Sequence, residues 1–101
     1  MRKIIHGKLY DTETARYIGS HQSSCYRSDY HYFEEDFYRK KTGEFFLHGE
    51  GGPASRYAER LESGGCIGGK RIIPLTREEA REWAENHLTS EEYEKLFVIR
   101  E

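Results

Sequence analysis

Residues 30–48 read Tyr30-His31-Tyr32-Phe33-Glu34-Glu35-Asp36-Phe37-Tyr38-Arg39-Lys40-Lys41-Thr42-Gly43-Glu44-Phe45-Phe46-Leu47-His48, and the architecture follows from this run. Two aromatic-rich stretches are separated by Lys40-Lys41-Thr42-Gly43, where Gly43 can take the positive φ that a short bulged hairpin turn requires. Strand alternation places His31, Phe33, Glu35, Phe37 and Arg39 on one face and Tyr30, Tyr32, Glu34, Asp36 and Tyr38 on the other. Neither set is cleanly apolar, which predicts a bulge or kink near residues 34–36. On the returning strand Phe45 and Leu47 share one side, and Phe46 and His48 share the other.

Working outward, residues 4–10 read as a strand, Asp11-Thr12-Glu13-Thr14 as turn chemistry and residues 15–21 as the next strand. Residues 20–28 are polar and read as a loop. After residue 48, Gly49-Glu50-Gly51-Gly52 reads as a tight turn. The periodicity of Ala54, Tyr57, Ala58 and Leu61 then predicts a short helix over residues 53–63, opened by Pro53 and closed by Gly64-Gly65. A short strand is expected over residues 70–73, stopped by Pro74. Two helices are expected over residues 76–98. Thr76 with Glu79, and Thr89 with Glu92, each have capping-box spacing. Ala80, Trp83, Ala84, His87 and Leu88 form one apolar stripe, and Tyr93, Leu96 and Phe97 belong to the second helix. The whole is a single α+β domain. An antiparallel sheet of four to five strands fills residues 1–52 and packs against the C-terminal helices.

The chain of 101 residues has room for one core. Hydrophobic residues make up 36% and charged residues 34%, with 14% aromatic. The aromatics bury large areas each and compensate for the low apolar content. A net charge of −2 does not describe a generally basic nucleic-acid binder. The charge is uneven: residues 1–75 hold twelve Lys and Arg against ten Asp and Glu, and residues 76–101 hold four against eight. Two cysteines, Cys25 and Cys66, make no disulfide framework. No signal peptide and no apolar run of membrane-spanning length is evident. A cytoplasmic protein with reduced thiols is therefore expected.

No pattern specifies a reaction. The glycines at 49–52 fit neither phosphate-loop nor dinucleotide spacing, and Glu50 among them would repel a phosphate. Among five histidines none has zinc-site spacing, so no metal or cofactor is expected. His31 and His48 lie on strands expected to pair. With Glu50 they can form a metal-independent ribonuclease site, one group acting as base and the other as acid; His pairs across strands are also commonly structural. Neither cysteine is placed as a nucleophile. Residues 26–41 interleave aromatics with Arg27, Arg39, Lys40 and Lys41 and with Asp29, Glu34, Glu35 and Asp36. That mixture suits a protein interface carried by Tyr30, Tyr32, Tyr38, Arg39, Lys40 and Lys41, or simply a covered sheet, better than a nucleic-acid surface.

The run 7–15, Gly7-Lys8-Leu9-Tyr10-Asp11-Thr12-Glu13-Thr14-Ala15, resembles the opening of a family of small proteins from bacterial plasmids, conjugative elements and phages. The run from Tyr38 through Gly52 is similar to the same family. So is Ile72-Ile73-Pro74-Leu75-Thr76 followed by Glu78, Glu79, Ala80 and Trp83. Residues 20–28 and 66–69 depart from the family pattern. Some members act as anti-CRISPR proteins. The resemblance implies a stoichiometric inhibitor, monomer or homodimer, in the cytoplasm of a bacterial host. Its partner would be a CRISPR effector protein or ribonucleoprotein, with possible contact to the guide RNA. The spacing of Glu78, Glu82 and Glu85 gives it an acidic helix face to set against a basic nucleic-acid channel. Two alternatives are a ribonuclease acting on guide RNA through His31, His48 and Glu50, and a nucleic-acid-binding accessory protein using Arg39, Lys40, Lys41, Lys70 and Arg71.

Overall fold

The computed structural model describes residues 1–24, 26 and 28–97. Strands β1 (Arg2–Ile5) and β2 (Lys8–Asp11) form a hairpin of their own. The expected strand over residues 4–10 is broken in its middle, because His6 and Gly7 take φ of 51° and 77° and turn the chain in two residues. The turn at Asp11 is present, with its Oδ1 accepting the Glu13 N–H at 2.9 Å. It leads into β3 (Arg16–Gln22), which pairs not with β2 but with β4 (Phe33–Arg39). With β5 (Phe45–Gly51) and β8 (Gly69–Leu75) these make an antiparallel sheet ordered β3-β4-β5-β8. The fold is thus a small α+β one, with a four-stranded antiparallel sheet and two short C-terminal helices, α1 (Arg77–His87) and α2 (Ser90–Glu94).

The Gly43 hairpin forms as expected: Gly43 has φ 94° and its N–H bonds the Lys40 carbonyl at 2.8 Å. The bulge expected near residues 34–36 is absent, since β4 pairs with β5 in unbroken register from Phe33↔Gly51 to Arg39↔Phe45. The register shifts instead in β3, between Tyr17 and Gly19. The mixed faces of β4 need no kink because each polar residue is accommodated. Glu35 is buried with hydrogen-bond partners, and Glu34 and Asp36 lie on the face away from the helices.

Three further expectations are corrected. Residues 49–51 are not a turn but the end of β5. No helix forms over residues 53–63; turns lead into a small hairpin of β6 (Glu59–Arg60) with β7 (Cys66–Ile67). Ser55 explains part of this: its hydroxyl donates to the Gly52 carbonyl at 2.8 Å and accepts the Tyr57 N–H at 3.2 Å, local bonds that compete with a helix. The strand expected over residues 70–73 runs through Pro74 to Leu75, which is possible because, among the described residues, β8 is an edge strand with no ladder on its outer side.

Both capping boxes are formed. Thr76 Oγ1 accepts from Glu79 N at 3.1 Å and Thr89 Oγ1 from Glu92 N at 3.2 Å, each glutamate returning the bond. α2 ends at Glu94, so Leu96 and Phe97 follow it in a turn yet still pack inward. Residue 98 lies outside the described residues. One core gathers Phe37, Phe45, Leu47, Ala80, Trp83, Ala84 and Phe97 between the sheet and the helices. A second, of Tyr10, Phe46 and Ile72, lies on the opposite sheet face beneath the N-terminal hairpin, with Ile5 and Tyr38 packed against it. That hairpin covers only one end of its face.

Candidate interaction surface

On α1 the residues divide cleanly by angle. Ala80, Trp83 and Ala84 are buried. At 100° per residue, Glu78, Glu82 and Glu85 centre on the opposite side of the helix; all three are exposed. Glu78 and Glu82 have no hydrogen-bond or ion-pair partner among the described residues, and Glu85 accepts only the Tyr93 hydroxyl, at 3.3 Å. The helix cations do not neutralise this stripe: Arg77 and Arg81 lie over the Phe97 ring, 5.5 and 5.8 Å from its centre. Among the described residues, the outer face of α1 therefore presents its negative charge uncovered.

A second acidic feature lies on the uncovered end of the sheet. Glu34 and Glu50 are directly opposite in register, as are Glu50 and Lys70. Tyr32, Glu34, Glu50 and Lys70, with the backbone of Gly51, Gly52, Gly68 and Gly69, line a cleft of about 350 Å³. The Tyr32 hydroxyl donates to Glu34 Oε2 at 2.9 Å. The Glu50 carboxyl is held above its ordinary range chiefly by its hydrogen bond to Glu34, then by burial and by the Glu34 charge; Lys70, 3.7 Å away, and His48 oppose this. Asp36 is also raised, mainly by burial.

The proposed ribonuclease set is not assembled. His31 is not on a strand; it sits in the turn before β4, exposed, with Nδ1 3.4 Å from Asp29. His48 is opposite Asp36, five residues from His31, with Nδ1 4.0 Å from that carboxylate. Only Glu50, of the three, lines the cleft. Among the described residues no three His, Cys, Asp or Glu side chains are placed to hold a metal ion. Cys66 is exposed and free, and Cys25 lies outside the described residues.

The aromatic interface is also redrawn. Tyr32 is buried and Tyr38 half-buried against Phe46, ring centres 5.2 Å apart, so neither can anchor a partner in the folded domain. Of the expected anchors Tyr30 is open, at 71% exposure, with Tyr17 and Tyr26 as the other open tyrosines. Arg39 is drawn over Phe45, and Lys40 lies over Tyr10 and 3.3 Å from Glu44, while Lys41 is exposed. Lys70 and Arg71 sit at the other end of the sheet from these cations, and Arg71 donates to the Arg56 carbonyl at 2.8 Å. They do not form one basic surface with residues 39–41.

The sequence reading missed a polar network inside the core. Glu35 accepts the Trp83 indole N–H at 3.0 Å through Oε1, and through Oε2 it accepts from the Tyr57 hydroxyl and from Arg56 at 3.3 Å. Burial, with the Glu35 hydrogen bond next, pushes the Tyr57 hydroxyl well above its ordinary range. Nearby, the His21 and His87 rings stack at 3.8 Å.

No protein-family model, curated protein or solved structure matches the chain. Among the described residues no helix is long and apolar enough to cross a membrane.

Proposed function

We propose that this domain is a stoichiometric inhibitor of the anti-CRISPR type, binding a CRISPR effector ribonucleoprotein and blocking its nucleic-acid loading, target binding or cleavage. The observation that carries the reading is the outer face of α1, where Glu78, Glu82 and Glu85 are exposed and Arg77 and Arg81 are turned aside over Phe97. CRISPR effectors hold nucleic acid in strongly positive channels, and a rigid acidic face competes for such a channel with little loss of conformational freedom. The resemblance to mobile-element proteins favours the same conclusion. It also sets the encounter in the cytoplasm of a bacterial host. The ribonuclease alternative gains nothing from His31 and His48, which lie apart.

The test is a pull-down of reconstituted effector ribonucleoprotein by the immobilised domain. The triple variant E78K/E82K/E85K should lose most binding, and wild-type binding should weaken with added salt. Unchanged capture by the folded triple variant would contradict the acidic-face reading.

A further inference from the structure

Arg81 stands on α1 between Glu78, three residues before it, and Glu85, four residues after it. At both spacings opposite charges on a helix surface pair, and a glutamate on the N-terminal side of the cation is the better arrangement. Neither pair forms: among the described residues Arg81 has no ion-pair or hydrogen-bond partner. Its guanidinium lies instead over the Phe97 ring, 5.8 Å from the ring centre, and that of Arg77 lies 5.5 Å from the same centre.

The ring that receives these cations is fixed by the core. Phe97 is 4% exposed, and its ring centre is 5.4 Å from that of Phe45 and 5.0 Å from that of Tyr93. Its N–H bonds the Tyr93 carbonyl at 3.0 Å, so the two residues sit one turn apart. The Tyr93 hydroxyl in turn donates to Glu85 at 3.3 Å. Two aromatic residues that follow α1 thus take a base and an acid of that helix separately: Phe97 takes Arg81, and Tyr93 takes Glu85.

We infer that Phe97 is a positioning residue for the acidic face of α1: by drawing Arg81 onto its ring, with Arg77 beside it, it keeps that cation from neutralising Glu78 or Glu85. This role rests on the acidic face being the surface that meets a basic channel, and Phe97 is the side chain that sets its charge. Without the ring, Arg81 has two carboxylates within pairing distance along the helix and no competing aromatic face. The stripe of Glu78, Glu82 and Glu85 would then offer a partner two free negative charges in place of three.

The experiment is fluorescence anisotropy of a fluorescein-labelled oligolysine peptide, standing in for a basic channel, titrated with the intact protein at low salt. Wild type should bind, and E78K/E82K/E85K should lose most of that binding. Phe97→Leu, checked for folding by circular dichroism, should bind about threefold more weakly, the loss expected when one surface charge is paired internally. Adding Arg81→Ala to Phe97→Leu should restore wild-type binding, which a merely structural defect would not allow. If the triple variant loses binding but Phe97→Leu binds like wild type, or Arg81→Ala gives no rescue, the role of Phe97 is overturned and the acidic face stands. Equal binding by the triple variant would overturn both. NMR reads the same contact without a substitution. The Arg81 δ-methylene protons of wild type should resonate upfield of their random-coil position because of the Phe97 ring, and random-coil shifts would overturn the assignment even if Phe97→Leu failed to fold.

Discussion

Glu35, in the middle of β4, accepts the indole N–H of Trp83 at 3.0 Å, tying the centre of the sheet to α1 across 48 residues of sequence. The same carboxylate takes the Tyr57 hydroxyl, so the irregular segment before β6 is fixed to that point as well. One 3%-exposed carboxylate thereby holds three parts of the chain that are far apart in sequence. A buried carboxylate is tolerable only when its oxygens are satisfied, and here both are.

Removing that carboxylate should leave the Trp83 N–H and Tyr57 O–H unpaired inside the protein. Glu35→Ala is expected to cost about 3–5 kcal/mol in urea unfolding, from two orphaned donors and a cavity. Glu35→Gln, which keeps the shape and one acceptor, should cost less than half as much. A Glu35→Ala protein within about 1 kcal/mol of wild type would show that the network is not structural.

Gly49 is required by the Tyr57 ring. A Cβ at Gly49 would fall inside that ring, so Gly49→Ala forces the tyrosine off Glu35 and should destabilise by about 2–3 kcal/mol. In a Tyr57→Ala background the same substitution should cost much less, because the clash is gone. Additive effects in that double-mutant cycle would contradict the steric account.

The stacked histidines give the domain an acid-sensitive contact. Burial first, and then the charge of His21, hold the His87 imidazole below its ordinary 6.5, with Glu35 opposing. A base whose folded pKa is depressed contributes stability that is present above its unfolded pKa and lost as pH falls through the folded value. Melting temperature should therefore drop on acidification below about pH 6.5, and His87→Phe, which keeps an aromatic ring against Trp83 and His21, should flatten that drop. An equally steep decline in the variant would remove His87 from the explanation.

Glu50 acts with the opposite sign. Its folded pKa is raised, so its contribution is present below the ordinary carboxyl value of 4.5 and is lost as pH rises through the raised one. At pH 7 the two carboxylates repel across the strands. Glu50→Gln should accordingly stabilise the protein at neutral pH by about 0.5 kcal/mol, a figure kept small because the side chain is partly open to solvent. The gain should vanish near pH 4; a loss of stability at pH 7 would refute the like-charge account.

Features set by nearby residues were legible in the sequence. Both capping boxes, the Gly43 hairpin, the facing of Phe45 and Phe46, and the Glu78, Glu82, Glu85 stripe follow from spacing alone. What escaped depends on partners distant in the chain. The helical period of residues 54–61 was real but outweighed by Ser55 bonding the local backbone and Tyr57 reaching Glu35. Tyr38 looked like an interface residue because alternation tells which face a residue shares, not which end of that face the N-terminal hairpin covers, and Tyr32 is buried at the other end, where its hydroxyl bonds Glu34. Arg16 is set opposite Arg39 only by the β3–β4 register. The His6-Gly7 turn had one visible signal, a glycine between two short β-branched and aromatic runs.

The most direct measurement of the inhibitor reading is a titration of the purified protein into a DNA-cleavage reaction run by a reconstituted CRISPR ribonucleoprotein, with the guide RNA followed on a denaturing gel. The account predicts inhibition that saturates near one protein per effector while the guide stays intact. Guide fragments at catalytic amounts of protein, or full cleavage across representative effector types at excess protein, would contradict it.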